Sequence, residues 1–120
     1  MSINSVLPVK PDITSVDLDK LDIRVGTIEQ VVDVSSSDKL VKLVVDFGDF
    51  KRNILVGMKQ ERVDVQEVVD KQALFVVNLE PRKMAGEISE GMLFDIGYAN
   101  GITPVLAMPE QPVPNGSIAG

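Results

Sequence analysis

The 120-residue chain contains no cysteine and no histidine. Without cysteine there is no disulfide framework and no thiolate zinc site. Without histidine, the commonest general base and the commonest metal ligand are missing. No apolar run approaches the roughly 18–20 residues that cross a bilayer. The opening MSINSVLPVKPD has neither a positive n-region nor a long apolar h-region, so no signal peptide is expected. These absences predict a soluble cytoplasmic protein with no membrane partner. Glycine-rich phosphate loops of the GxGxxG and GxxxxGK[ST] types are also missing. Ser35-Ser36-Ser37 reads as a polar turn with no nearby base to activate a hydroxyl. Carboxylate pairs such as Glu87 with Glu90 arise by chance on any acidic chain. The expectation is a protein that is not an enzyme and uses no cofactor or metal.

Hydrophobic residues make up 44% of the chain, and its length suits one domain with a real core. The net charge is −6, which weighs against a nucleic-acid partner until its distribution is considered. Residues 1–22 and 61–71 each carry a net −2, whereas residues 38–59 carry +2 through Lys39, Lys42, Lys51, Arg52 and Lys59. Basic charge is gathered on a central stretch, which fits either a solvated strand face or a phosphate-facing surface.

Residues 1–13, with Pro8 and Pro11, read as a flexible arm ahead of a domain over 14–120. Thr14 or Ser15 is placed to cap a short helical turn through Leu21. β-signals then dominate. Ile23–Val34 is β-branched and long for one strand, and Gly26 inside it predicts a bulge or sharp bend. Val41, Leu43, Val45 and Phe47 alternate with Lys42 and Asp46, and Lys51–Gly57 pairs back across a Gly48-Asp49 turn. Val65, Val68 and Val69 change the period to that of a helix, with Asp64 as N-cap and Glu67 three residues on. Ala73–Leu79 is a nearly unbroken apolar strand. Met92–Ile96 and Thr103–Met108 are two further short strands. A short helix between strands three and four is the order of an all-β OB-fold, a five-stranded Greek-key barrel, here with a C-terminal extension. An SH3-like barrel is the competing architecture.

Between two of these strands lies NLEPRKMAGEISEGML (Asn78–Leu93), read as a loop. Arg82 and Lys83 are cations suited to phosphate. Met84 offers flexible apolar contact to sugar or base, Ser89 a small hydroxyl, and Gly91 close backbone approach. The alternative is structural: Met84 and Met92 plug the barrel end while Arg82 pairs with Glu80 or Glu87.

Five segments carry a family resemblance: LDIRVGTI (Leu21–Ile28), DKL (Asp38–Leu40), VDFG (Val45–Gly48), VVNLEPRKMAGEISEGML (Val76–Leu93) and PVPNGS (Pro112–Ser117). Together, in this order and over nearly the whole chain, they resemble the tRNA-binding domain. That domain occurs at the C-terminus of bacterial methionyl-tRNA synthetases, in other synthetase-associated proteins, in stand-alone tRNA-binding proteins and in the CsaA-type export chaperone. The resemblance implies an OB-fold, usually a homodimer, that binds tRNA by shape. It implies that Lys39, Arg82, Lys83, Ser89 and Met92 lie at or near the nucleic-acid surface and that Arg24 is structural. Arg52 and Lys59 are added from charge, and Met84 from its chemistry. Val34-Ser35-Ser36-Ser37 replaces the family's usual His-Pro-Asn-Ala, and Ala85 stands where a basic residue is common. Both changes weaken a phosphate-binding surface.

Three functions are therefore weighed. The first is a non-catalytic tRNA-binding module assisting an aminoacyl-tRNA synthetase in trans. The second is a chaperone for unfolded preproteins, toward which VDFG and VVNLEPR tilt. The third is a structural dimer with no nucleic-acid role. Ala73–Leu79 and the apolar C-terminal segment are the expected dimer contacts.

Overall fold

The computed structural model describes residues 6–120. Residues 1–5 of the expected arm lie outside the described residues, and residues 6–13 form no regular element. A one-turn helix, α1 (Ser15–Leu18), follows Thr14, whose hydroxyl accepts the Asp17 N–H. Nine strands follow: β1 (Ile23–Asp33), β2 (Val41–Asp46), β3 (Lys51–Val56), β4 (Gln72–Val76), β5 (Arg82–Met84), β6 (Glu87–Ser89), β7 (Met92–Leu93), β8 (Asp95–Ile96) and β9 (Val105–Leu106). The helix expected between β3 and β4 is a 3-10 helix, Val65–Val68, with the Asp64 carboxylate accepting the Gln66 N–H at 3.0 Å. Glu67 does not close a capping box; its carboxylate pairs with Arg62.

Five strands form one curled antiparallel sheet in the order β3-β2-β1-β4-β7, an OB-like architecture. β1 is long because it serves two neighbours. Its first half, Ile23–Thr27, pairs with β4, and its second, from Thr27 to Asp33, pairs with β2. The bulge falls between Ile28 and Gln30, not at Gly26. Gly26 is required for a different reason. A Cβ there would lie 2.5 Å from Val45 Cγ1 and 2.8 Å from the Phe47 ring, so the strands can cross this closely only without a side chain.

The alternation in β2 is realised: Val41, Leu43, Val45 and Phe47 are all buried and line the barrel interior. Ile28, Ile54, Val68 and Phe75 join them, with the Phe75 ring edge-on to Phe47 at 5.5 Å. Ala73, Phe75, Val76 and Val77 are buried in this same core. That corrects one expectation: within the Ala73–Leu79 run only Asn78 and Leu79 are exposed and Leu74 is half-buried, so most of the run supplies this chain's own core and not a dimer contact.

The C-terminal extension completes β1. Where β2 ends, residues 116–119 run beside the start of β1, through Gly116 N–H to Val25 O, Val25 N–H to Ser117 O and Ala119 N–H to Ile23 O. Asn115 accepts from Thr27 Oγ1 at 2.7 Å and from Gln72 Nε2 at 2.9 Å. Gly116 has φ 89°, and a Cβ there would sit 2.4 Å from Phe47 O. The separate segments VDFG and PVPNGS are thus two turns packed backbone to backbone.

The sheet's free edges, β3 and β7, are joined mostly by side chains. Ser89 Oγ accepts the buried Leu55 N–H and donates to Gly91 O, both at 3.0 Å. Glu90 accepts the Asn53 N–H on its carboxylate and donates its own N–H to Asn53 O. Arg52 Nη1 donates to Val77 O and Glu90 O, while its guanidinium lies over the Phe50 ring.

The stretch read as a loop contains a β-hairpin. Arg82 opposes Ser89, Lys83 opposes Ile88 and Met84 opposes Glu87, leaving the two-residue turn Ala85-Gly86. Both turn residues have positive φ, 50° and 81°, the signature of a type I′ turn. Strand alternation puts Lys83 and Ile88 on one face and Arg82, Met84, Glu87 and Ser89 on the other; Ser89 on that second face is buried, whereas Arg82 opposite it is exposed.

Two outcomes follow for stability. Ser89→Ala removes the partner of a buried N–H, and we expect a loss of about 1–3 kcal/mol in urea unfolding. Ala85→Asn relieves a left-handed residue in a turn that favours Asn-Gly, and a gain of up to about 1 kcal/mol is expected in the same measurement.

Candidate nucleic-acid interface

The chain carries twelve cationic side chains, and most are already matched. Lys20, Arg24, Lys42, Lys51, Lys59 and Arg62 each hold an ion pair. Arg24 grips Asp22 with two hydrogen bonds, of 2.8 and 3.1 Å. That contact holds the Asp22 carboxyl below the usual carboxylate range and raises the guanidinium's own pKa. Arg24 is therefore engaged within the chain. The Glu29 carboxylate raises the Lys51 ammonium in the same way. Arg52 is engaged by backbone carbonyls.

Among the described residues, Lys10, Lys39, Lys71, Arg82 and Lys83 hold no ion pair. Three of these five lie on two neighbouring segments. Lys39 is exposed on the β1–β2 loop, and Arg82 and Lys83 are exposed on β5. The two segments are tied together at their tips, where Ser36 Oγ donates to Ala85 O at 3.0 Å. A second tie, Lys42 to Glu87 at 3.2 Å, joins β2 to β6. Arg82 therefore has neither Glu80 nor Glu87 as an ion-pair partner.

The β1–β2 loop is locked from within. Ser37 Oγ accepts the N–H groups of Lys39 and Leu40, at 3.2 and 3.0 Å, and the Ser37 N–H bonds Val34 O. The serine turn thus presents Lys39 without the residues more common there.

The remaining sequence-derived candidates sit differently. Ser89 is 4% exposed, and its hydroxyl both donates and accepts within the barrel seam. Arg52 belongs to the same seam. The Lys59 ammonium faces inward to Val34 O, Ser37 O and Asp33. Ser89 and the Lys59 ammonium spend their hydrogen bonds within the protein, and Arg52 spends Nη1 on the seam. Apart from Gly91 beside Ser89, their partners lie 22 to 38 residues away in sequence, so charge alone does not expose these roles.

Met84, Met92 and Lys39 line one groove of about 940 Å³ between the hairpin, the end of β3 and the β8–β9 ribbon. Leu55, Met58, Leu93 and Leu106 give it an apolar floor, and Lys10, Glu61, Arg62 and Asp95 also reach it. Burial, and then the negative charge of Asp95, raise the Glu61 carboxyl above its ordinary range, with Arg62 opposing the rise. Met92 is half exposed at the groove edge and does not plug the barrel. Phe94, Tyr98 and Val105 also line the groove, and together with Ile96 and Met108 they are exposed apolar side chains on or beside β8 and β9. Sequence reading did not separate this patch from the barrel because Met92–Ile96 looks like one strand. In fact Leu93 faces the core through β7, while Asp95 and Ile96 pair with β9.

Among the described residues no group of carboxylates could hold a metal ion, and no helix is long and apolar enough to cross a membrane. Residues 23–118 match the family model of the tRNA binding domain. A methionine–tRNA ligase from Parabacteroides distasonis is 41% identical over 110 residues, 92% of this chain but only 16% of that protein. The chain thus spans a small part of the length of this relative. A MetRS-related protein from Pyrococcus horikoshii superposes with a TM-score of 0.84 at 30% identity, over 92% of this chain and 100% of the other. A CsaA chaperone protein from Picrophilus torridus gives 0.79 at 28% identity, over 91% of this chain and 100% of that one. With the profile spanning most of its length and the same barrel in these relatives, the chain belongs to the tRNA-binding domain family.

Proposed function

We propose that this chain is a cytoplasmic, non-catalytic binding module that recognises folded tRNA by shape and phosphate contacts, acts as a homodimer, and serves an aminoacyl-tRNA synthetase in trans. One observation carries this reading: Lys39, Arg82 and Lys83 hold no ion pair and lie on a loop and a hairpin fastened to each other, in a chain whose net charge is −6. Unmatched cations are what an RNA backbone can engage without first breaking an ion pair. Met84, which lines the groove with Lys39, adds apolar contact to sugar or base.

Three cations are few for a ligand the size of tRNA. A twofold dimer doubles them and sets two such surfaces at a fixed separation, which a rigid L-shaped RNA can satisfy by geometry without base readout. The patch of Phe94, Ile96, Tyr98, Val105 and Met108 supports self-association through the C-terminal part of the chain. The synthetase connection is supported by the likeness to one part of a methionine–tRNA ligase.

A second reading, binding of unfolded polypeptide, is favoured by the apolar floor of the groove and by the likeness to a protein described as a CsaA chaperone. The two readings differ in salt dependence. Phosphate contacts release counterions and weaken steeply with salt, whereas apolar burial resists it.

Gel shifts of folded tRNA and an unstructured RNA of equal length, across a salt series, test the first reading. We expect stronger binding of folded tRNA. Lys39→Ala, Arg82→Ala and Lys83→Ala should each reduce the log–log salt slope by about 0.7–0.9 per copy engaged. Equal weak binding to both RNAs, or slopes that ignore these substitutions, favours the polypeptide reading. Sedimentation equilibrium tests the dimer: the wild type should run as a dimer at micromolar concentration, and Ile96→Asp as a monomer.

A further inference from the structure

Lys59 touches the β1–β2 loop at three points and the last residue of β1 at a fourth. Its backbone N–H donates to Lys39 O at 3.0 Å. Its ammonium donates to Val34 O at 3.0 Å and to Ser37 O at 2.6 Å, and pairs with Asp33 at 2.7 Å. An ammonium has three protons, and these three oxygens match that number. The side chain is only 25% exposed, so its charge is turned into the protein. The carbonyls it collects, at 34, 37 and 39, bracket Ser36, whose hydroxyl fastens the hairpin tip at Ala85. A chain of contacts therefore runs from Lys59 through the loop to both groups of unpaired cations.

We infer that Lys59 is a positioning residue for the tRNA-binding surface: it fixes the loop that presents Lys39 and, through Ser36, the hairpin that presents Arg82 and Lys83, without itself touching phosphate. This inference rests on the tRNA reading proposed above. A loose loop must be ordered when ligand binds, and that ordering weakens affinity without removing any charge contact. A positioning cation and a ligand cation therefore leave different traces in salt dependence. Losing a ligand lowers both affinity and slope, whereas losing a positioning group lowers affinity alone.

The test uses the double variant Lys59→Met with Asp33→Asn, which keeps the net charge of the wild type. We expect tRNA affinity to fall about tenfold with the salt slope unchanged. A slope reduced by about 0.7–0.9 would make Lys59 a phosphate contact, and unchanged affinity would make it irrelevant; either overturns the inference. Lys59→Arg sharpens the distinction. A guanidinium serves a phosphate well but is planar and cannot fill a site built around three converging ammonium bonds, so affinity should fall here too. Full retention by Lys59→Arg overturns the proposal.

Two further measurements stand apart from these variants. Ser36→Ala cuts the tie between loop and hairpin at an exposed hydroxyl, and should also weaken binding at constant slope; wild-type affinity would sink the proposed relay. Amide exchange at Lys39 and Leu40 needs no RNA and should accelerate in the double variant. Unchanged exchange overturns the positioning role whatever tRNA does, whereas absent tRNA binding by the wild type with accelerated exchange defeats only the functional reading.

Discussion

The arrangement depends on how the curled sheet joins its two free edges. β3 and β7 meet through Ser89, Glu90 and Arg52, not through a continuous strand ladder. The buried Leu55 N–H has the Ser89 hydroxyl as its partner, and a buried donor left without one costs more than an ordinary hydrogen bond contributes. Arg52 ties the end of β4 to the residue after β6 by bonding Val77 O and Glu90 O with one nitrogen. Everything between those carbonyls, from Asn78 to Ser89, is thereby held as an excursion with both ends clamped. The β5–β6 hairpin can project its cations because its base is fastened to the barrel.

Much of the barrel was legible in the sequence because its signals are local. Alternation in β2, the β-branched run in β1 and the Asp64 cap each depend on residues a few positions apart. Gly26 announced an irregularity, but its cause is the approach of Val45 and Phe47 from β2, which no local pattern reveals. The hairpin was missed because its turn carries Ala85, not the Asn that marks a type I′ turn in sequence. Its neighbour Gly86 was the available cue.

The candidate site was legible in part for the same reason. Residue type identifies a side chain able to meet phosphate; only packing shows whether that side chain is free. Lys39, Arg82, Lys83 and Lys59 are alike as letters. Three project from the surface without an ion pair, and one is folded onto Val34 and Ser37 carbonyls. Arg52 and Ser89 are drawn into the seam by residues more than thirty positions distant. The polar groups suited to an RNA backbone are equally suited to satisfying a small barrel's own exposed carbonyls and amides.

The acidity of the chain then has a physical role. Six cations are cancelled by carboxylates within hydrogen-bonding distance, so most of the surface presents either neutral pairs or excess negative charge to a polyanion. On the proposed reading, repulsion over that surface favours approach that brings the hairpin and the Lys39 loop forward. A uniformly basic barrel would bind RNA more tightly and less selectively, because counterion release rewards any phosphate contact. With a few free cations on a surface that otherwise repels, affinity must come from several contacts made at once. Only a ligand whose phosphates are already fixed in space can make them without a large ordering cost. A folded RNA meets that condition and a flexible strand does not, so on the proposed reading shape selectivity follows from sparse charge held in rigid positions.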